Sequence, residues 1–359
     1  VLGIGDAPFH GLRRELGQAL AEYVHVPRME RYDDLLRAAG ALTGRHGKID
    51  RIDSLTEHWL SLEAKLREDF NVVGLRPSQV DRLRRKSAMA EIFKAADIPA
   101  PALERVTSAA QVRAFAAAHG LPVIIKPDTG VGAAGAFRVD TPEQLEAALS
   151  MSLSDAVVQK FVQGRITTFD GVADGRGEVA FCTSFFYSSG VMEVVADQLD
   201  VHYASRRVIP PKLEEYGRRA VAAFGIKERF FHIEFFELPD GSFRALEVNL
   251  RPPGGFTTDL MNWSCDIDVY RLWAEVITGA PLDGFTYKRK YHAAHVARRR
   301  GRRYRRPHRL LAEALGPALL DYRELSPPIS TAMGDAIYLV RFQTTEELDE
   351  AKRLIQEVD

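Results

Sequence analysis

Apolar positions along the chain switch between helical and strand spacing. Leu12, Leu16 and Leu20 recur four apart and predict a helix, and Tyr23-Val24-His25-Val26 is strand-like. Leu35-Leu36 belong to a second helix, Ile49 to Leu55 reads as a strand, and Trp59, Leu62 and Leu66 mark the helix after it. Strands alternating with helices predict a parallel, open α/β sheet. Gly3-x-Gly5 after the opening strand fits a Rossmann-like turn, although the third glycine of a dinucleotide fingerprint is missing.

Arg82 to Ala96 has the pattern of one basic amphipathic helix, stopped by Asp97-Ile98-Pro99-Ala100-Pro101. A helix over Gln111 to His119 closes at Gly120, and Leu121 to Lys126 is a strand. A glycine-rich loop leads to the strand Ala136-Phe137-Arg138-Val139, and Thr141-Pro142-Glu143 opens the next helix. Val157 to Val162 is a strand ending at Gly164. Strands dominate from Thr167 to Asn249, with a helix near Leu213 to Phe224. Beyond them come a strand around Tyr291 to Ala297, further helices and a late strand, Ala336 to Phe342.

The 359 residues suit two or three packed lobes. At 46% hydrophobic and 27% charged, the bulk is neither disordered, collagen-like nor coiled coil. Lys+Arg 48 against Asp+Glu 49 leaves a net charge of −1, so no global field draws the chain to nucleic acid or a membrane. Cys182 and Cys265 lie in no Cys-x-x-Cys motif, and a reducing cytoplasm is the expected compartment. No apolar run approaches the roughly 20 residues of a membrane span, and the opening residues lack the basic region of a signal peptide. No Gly-x-Ser-x-Gly elbow or His-Glu-x-x-His motif supports a hydrolase.

Two segments carry candidate chemistry. The first is Lys126-Pro127-Asp128-Thr129-Gly130-Val131-Gly132-Ala133-Ala134-Gly135. Its glycines let backbone N–H groups approach an anion, and Lys126 supplies a cation. The same composition also fits a long hairpin. The second runs from Phe230 to Asn249 across Asp240-Gly241, a leading hairpin signal. A two-residue turn there puts Pro239 opposite Ser242 and, counting outward, Glu234 opposite Glu247. Asn249 then shares their face, and His232 faces Asn249 as a structural histidine. Facing carboxylates repel by about 0.2–1 kcal/mol when exposed. Near an effective dielectric of about 20 the figure is about 4 kcal/mol at ~4 Å. A divalent cation reverses that sign, and two Glu oxygens with an Asn oxygen suit Mg²⁺ or Mn²⁺. A solvated acidic face is the plainer alternative. Arg251, followed by Pro252-Pro253-Gly254-Gly255, fits a site for a transferring phosphoryl group or an ordinary surface turn.

Taken in order, these motifs resemble the ATP-grasp superfamily, carboxylate–amine ligase type. The resemblance runs from the opening strand to about Thr278. It implies an ATP-grasp fold, α/β in class with α+β lobes: residues 1–84 as an N-terminal Rossmann-like α/β domain, 85–163 as a small lobe with a glycine-rich lid, and 164–359 as a large lobe with the metal site and a C-terminal extension. Lys86, in Arg85-Lys86-Ser87, is similar in position to the family's first nucleotide lysine and Lys126 to the second. Gly130, Gly132 and Gly135 would form the phosphate cover. Gln159-Lys160-Phe161-Val162 would be the hinge that holds adenine through backbone groups. Glu234, Glu247 and Asn249 match the metal ligands, and Arg251 the catalytic, phosphate-contacting arginine. Ile166 falls near where many members have a ribose-binding Glu, with Asp170 as a substitute. The implied cofactors are ATP and Mg²⁺ or Mn²⁺. The implied reaction joins a carboxylate to an amine through an acyl phosphate, with amino acids or small peptides as substrates. Carboxylase or thioester chemistry and a non-catalytic nucleotide-binding module are the alternatives.

Two arginine groups stand outside that pattern. Arg206 and Arg207 offer a bidentate clamp for a substrate carboxylate, with Gly254 and Gly255 as further substrate contacts. In the run Arg298 to Arg309, a helix would align Arg298, Arg302, Arg305 and Arg309, although Gly301 and Pro307 oppose one. The neutral overall charge favours a solvated face or an intersubunit contact, as in a homodimer, over nucleic acid.

Overall fold

The computed structural model describes residues 1–130, 135–149, 153–188, 200–327 and 329–359. The chain divides into two units, Val1–Arg82 and Leu83–Asp359.

In the first unit, β1 (Leu2–Gly5) pairs in parallel with β2 (Glu22–His25). Helices Tyr32–His46 and Leu60–Asp69 bury Leu35, Ala38, Ala39 and Leu66 together with Val26. Gly3 and Gly5 lie inside β1 rather than in a turn after it. A Cβ on Gly3 would come within 2.9 Å of the Tyr23 ring, and one on Gly5 within 2.4 Å of its hydroxyl. The glycines thus make room for Tyr23, which donates to the Ala7 carbonyl at 2.6 Å. The helix through Leu12, Leu16 and Leu20 shortens to Arg14–Ala19. Ile49 to Leu55 forms no strand. Ser54 gives its N–H and its hydroxyl to Glu63, each at 2.6 Å, and Arg67 donates to Asp53 at 2.8 Å. Polar side chains therefore tie this segment to the helix Leu60–Asp69 instead of leaving it to a sheet.

The second unit holds two sheets. The smaller contains β3 (Leu103–Val106), β4 (Val123–Pro127), β5 (Phe137–Val139) and β6 (Ala156–Lys160), in the order β3-β6-β4-β5 and antiparallel throughout. Helices Ala109–His119 and Pro142–Ala148 accompany it, and Val106, Val112, Phe115, Val123, Ile125, Val139 and Val158 make its core. Ser108 and Gln111 close a reciprocal capping box at the first of these helices, a contribution of about 1 kcal/mol.

Among the described residues the larger sheet has nine strands: β7 (Arg165–Ala173), β8 (Val179–Thr183), β9 (Phe185–Tyr187), β10 (His202–Ser205), β11 (Arg229–Glu237), β12 (Phe243–Asn249), β13 (His292–Arg298), β14 (Leu319–Glu324) and β15 (Ala336–Phe342). Their order is β12-β11-β7-β9-β10-β13-β15-β14, with β8 also on β7. No helix among the described residues is long and apolar enough to cross a membrane.

Two expectations change here. Arg82 to Ala96 is not one helix but two, Pro77–Arg84 and Lys86–Ala95, with Arg85 extended between them (φ −91°, ψ 123°). The cause is long-range. The buried Asp128, just past β4, accepts from the Lys86 N–H through its carbonyl (2.9 Å) and from the Ser87 N–H through its carboxylate (2.8 Å). That carboxylate caps the new helix start. The arginine run is no helix either until His308–Leu315. Arg298 and Arg299 are buried and donate to the Ile355, Arg306, Ser330 and Thr331 carbonyls, while Arg305 and Arg306 pair with Glu357. Part of the run thus clasps the C-terminal segment, while Arg300, Arg302, Arg303, Arg305 and Arg309 stay exposed, as a solvated face would have them.

Candidate active site

The ribbon of β11 and β12 builds the centre of the site. Its tip is a three-residue loop, Pro239-Asp240-Gly241, because Leu238 N–H pairs with the Ser242 carbonyl at 2.9 Å. Gly241 takes φ +78°, which a glycine adopts without strain. This corrects the two-residue turn expected from Asp240-Gly241, and alone it would shift the register by one residue and turn Glu247 to the other face. A bulge between Glu234 and Phe235 restores it: Phe235 faces Ala245 while Glu234 faces Glu247, leaving Leu246 as the extra residue. His232 then faces Asn249. On the neighbouring β7, Thr168 lies opposite Glu234 and Asp170 opposite His232. Thr168, Asp170, His232, Glu234, Glu247 and Asn249 therefore share one face of the large sheet.

Lysines from the small-sheet side approach the same carboxylates. Lys86, at the first position of the capped helix, donates to the Gly130 carbonyl at 2.8 Å and stands 3.9 Å from Glu247 Oε2. Asn249 Nδ2 donates to Glu247 Oε1 at 3.1 Å. Lys126 ends β4. Burial pulls its pKa down, Glu247 resists, Lys86 adds to the fall, and the value settles at about 8. Burial would raise Glu234, but the hydrogen bond and charge of His232, then Arg251 and Lys126, outweigh it and hold the carboxyl below its usual range. Burial disfavours charge on His232, yet Asp170 and Glu234 more than offset this and push the imidazole up to about 9. Arg251, just after β12, donates to the Pro252 carbonyl at 2.9 Å.

Two facing carboxylates and an amide oxygen are hard donors of the kind magnesium accepts while it keeps water and phosphate oxygens. Among the described residues, no group of three or more His, Cys, Asp or Glu side chains is gathered for a metal. The chemistry of Glu234, Glu247 and Asn249 as oxygen donors fits Mg²⁺.

Other expected residues fall in different places. Gly130 and Gly135 take φ +121° and +72° at the two ends of the glycine loop, and Gly132 lies outside the described residues. Gln159 is buried in β6, paired between β3 and β4. The amides of Lys160 and Phe161 are already committed to the Ala102 and Pro122 carbonyls, and Lys160 Nζ donates to the Gly120 and Leu121 carbonyls. Phe161 lies under the Arg138 guanidinium, and Val162 belongs to the link from β6 to β7. Ile166 pairs with Phe236 on the Glu234 face. Asp170 is fully buried with one oxygen at His232 and the other at Thr168, so it does not serve a ribose. Arg206 pairs with Glu237 at 2.5 Å, and Arg165 joins it at 2.7 Å. Glu237 is three residues from Glu234 on a strand in unbroken register with β7, hence on the opposite face. Arg207 is exposed and donates to the Gln343 carbonyl. The structure thus commits both arginines to protein partners away from the carboxylates. Gly254 and Gly255 form the exposed turn before helix Thr257–Cys265, where Thr257 donates to the Gly254 carbonyl at 2.7 Å.

Sequence reasoning missed two arrangements. One is the anchor around Asp128, where Arg85 also reaches Asp128 (3.3 Å) and Asp155 (2.7 Å) and Thr129 donates to Asp155 at 3.0 Å. Its one local signal was an acid two residues after Lys126. The other is the Asp170–His232 pair, signalled by a histidine two residues before Glu234 and so on its face.

Comparison with known proteins finds the following likenesses. Residues 81–172 match the family described as carbamoyl-phosphate synthase L chain, ATP binding domain. An uncharacterized protein, y4rH, of Sinorhizobium fredii is 32% identical over 123 residues, 33% of this chain and 26% of that protein. The carbamoyl phosphate synthase large chain of Rubrobacter xylanophilus is 26% identical over 232 residues, 60% of this chain and 21% of that one. The matched part is thus about a quarter or less of these relatives' length. Among solved structures, an L-amino acid ligase from Bacillus licheniformis superposes with a TM-score of 0.73 at 17% identity, covering 93% of this chain and 86% of that one. The biotin carboxylase domain of a 2-oxoglutarate carboxylase from Hydrogenobacter thermophilus gives 0.70 at 15%, covering 98% and 83%. The N5-carboxyaminoimidazole ribonucleotide synthetase of Thermotoga maritima gives 0.65 at 17%, covering 98% and 89%. The chain thus has an ATP-grasp fold, and residues 81–172, which match an ATP binding domain, include both lysines and the glycine loop.

Proposed function

We propose that the chain is an ATP-dependent ligase that joins a carboxylate to an amine, with amino acids or small peptides as substrates. The observation that carries this reading is the meeting of Glu234, Glu247 and Asn249 with the charges of Lys86, Lys126 and Arg251 at the β11–β12 ribbon. The likeness to an L-amino acid ligase supports amino acids as the substrate class. The buried free thiols of Cys182 and Cys265 agree with a reducing, cytoplasmic setting.

In this reading a substrate carboxylate oxygen attacks the γ-phosphorus of ATP, the bond to the β–γ bridging oxygen breaks, and ADP leaves. The amine then attacks the acyl carbon, phosphate departs, and the nitrogen loses a proton. Magnesium held by Glu234, Glu247 and Asn249 would neutralise charge on the phosphates. Lys86 and Lys126 hold phosphate oxygens, and Arg251 stabilises the charge that develops on the transferring group. The glycine loop excludes water, which otherwise hydrolyses an acyl phosphate.

The test is incubation with ATP, Mg²⁺ and pooled amino acids, following ADP and identifying new masses. ADP formation that needs an amino acid and yields a dehydrated adduct is expected. ADP formation that needs bicarbonate and ignores amino acids would move the chain to carboxylation, and none at all would make it a binding module.

Lys126 gives the site a pH signature. Its proton is present at pH 7 and lost as pH rises through about 8, while a bound phosphate favours the charged form. ADP affinity, measured by calorimetry, is expected to hold below about pH 7.5 and to fall above about 8.5, approaching tenfold per unit. Stability runs the other way: it rises between about 8 and the ordinary lysine value of 10.5, because the unfolded chain binds that proton more tightly. Lys126→Arg should flatten the binding profile. A flat profile in the unaltered chain would remove Lys126 from the phosphates.

A further inference from the structure

His232 and Asp170 sit opposite each other on β11 and β7, 62 residues apart in sequence, and both are buried. Valine, isoleucine or threonine would satisfy such strand positions without placing ionisable groups out of water. The strands need no such clasp, since they pair along their whole length from Arg229–Ala173 to Glu237–Arg165. The hydrogen bonds form a directed chain. Thr168 Oγ1 donates to Asp170 Oδ2, and Asp170 Oδ1 lies 2.6 Å from His232 Nδ1. His232 Nε2 in turn lies 3.0 Å from Glu234 Oε1. With both Asp170 oxygens and both ring nitrogens occupied, the imidazole cannot turn without breaking two contacts. Glu234 Oε2 has no hydrogen-bond partner among the described residues. The chain of contacts thus ends on one oxygen of a proposed metal ligand and leaves the other available.

We infer that Asp170 and His232 are positioning residues that fix the Glu234 carboxylate so that Oε2 is the oxygen offered to a divalent cation. This rests on the proposed metal role of Glu234 and Glu247. A ligand carboxylate held by an outer hydrogen bond keeps one geometry, and loss of such a partner typically weakens metal binding about 10–100-fold. The arrangement also differs from a satisfied core pair in a testable way. A core pair matters for stability whichever nitrogen is kept, whereas positioning depends on the donor at the Nε2 place.

The test measures Mn²⁺ affinity in the presence of ADP, from the electron paramagnetic resonance of free Mn²⁺, on the full chain. His232→Asn leaves an amide near Asp170 but cannot reach Glu234, and should weaken Mn²⁺ binding about 10–100-fold. His232→Gln puts an amide nitrogen near the Nε2 place and should hold affinity to within about threefold, although both variants lose a similar amount of thermal stability. Asp170→Asn, which keeps an acceptor for Nδ1, serves if a histidine variant fails to fold, and it too should stay within about tenfold. Equal Mn²⁺ affinity in the Asn and Gln variants, or affinity that only tracks melting temperature, would overturn the inference. Glu247→Ala separates the layers. If it loses Mn²⁺ while His232→Asn does not, the positioning role alone falls. If Glu247→Ala binds Mn²⁺ as the unaltered chain does, the metal reading falls and the positioning role with it.

Discussion

Glu247→Ala should abolish ADP formation and leave the chain folded. Glu247 faces Glu234 across the ribbon, and its neighbours include Asn249 at 3.1 Å, Lys86 at 3.9 Å and the charge of Lys126. Removing it deletes one of two carboxylates that would hold the cation against the triphosphate. That cation is worth several kcal/mol of transition-state charge stabilisation. At about 1.4 kcal/mol per factor of ten, the loss is roughly a thousandfold or more. Folding should barely respond. The variant loses a long ion pair and one hydrogen bond, and it sheds the repulsion between facing carboxylates, so the net change is within about 1 kcal/mol. A coupled ADP assay beside a thermal melt reads both quantities. Turnover at the unaltered rate would remove the metal assignment.

Asp128→Ala should have a large effect on stability and on nucleotide binding together. The carboxylate is fully buried and receives the Ser87 N–H and hydroxyl, each at 2.8 Å, and Arg85 at 3.3 Å. Alanine leaves the helix start uncapped, a cost of about 0.5–2 kcal/mol. It also removes hydrogen bonds to a charged group, each contributing about 1.5–3 kcal/mol. These contributions overlap, and a net loss of about 2–4 kcal/mol in urea unfolding is expected. The functional effect follows from position. Asp128 joins the base of the glycine loop to the first turn that carries Lys86, so its loss should also weaken ADP binding by about tenfold. Destabilisation with unchanged ADP affinity would show that Lys86 does not depend on this anchor for its placement.

The antiparallel ribbon was legible from alternation and from Asp240-Gly241, and the facing of Glu234 and Glu247 followed. The route to that facing was not. Pro239-Asp240-Gly241 fits a loop of two or three residues equally well, and nothing local in Ala245-Leu246-Glu247 marks a bulge. The break at Arg85 was hidden for a different reason: its cause, Asp128, is more than 40 residues away, while the helical periodicity runs straight through. The strand read into Ile49 to Leu55 failed because Glu63 and Arg67 claim that segment's polar groups. The arginine run departs from a solvated face only at its first members, Arg298 and Arg299, which backbone carbonyls draw inside, a demand that charge counting cannot see. The Asp170–His232 pair needed strand order, since β7 and β11 become neighbours only in the folded sheet.

The tip of the ribbon and the kink within it are a matched pair of offsets. A single insertion or deletion at Pro239-Asp240-Gly241 would swing Glu247 behind the sheet unless Leu246 or a neighbour were gained or lost in step. Length changes at that tip are therefore inherited two at a time or not at all. A surface loop at the tip of the ribbon is in this way as tightly constrained as the acids it aligns.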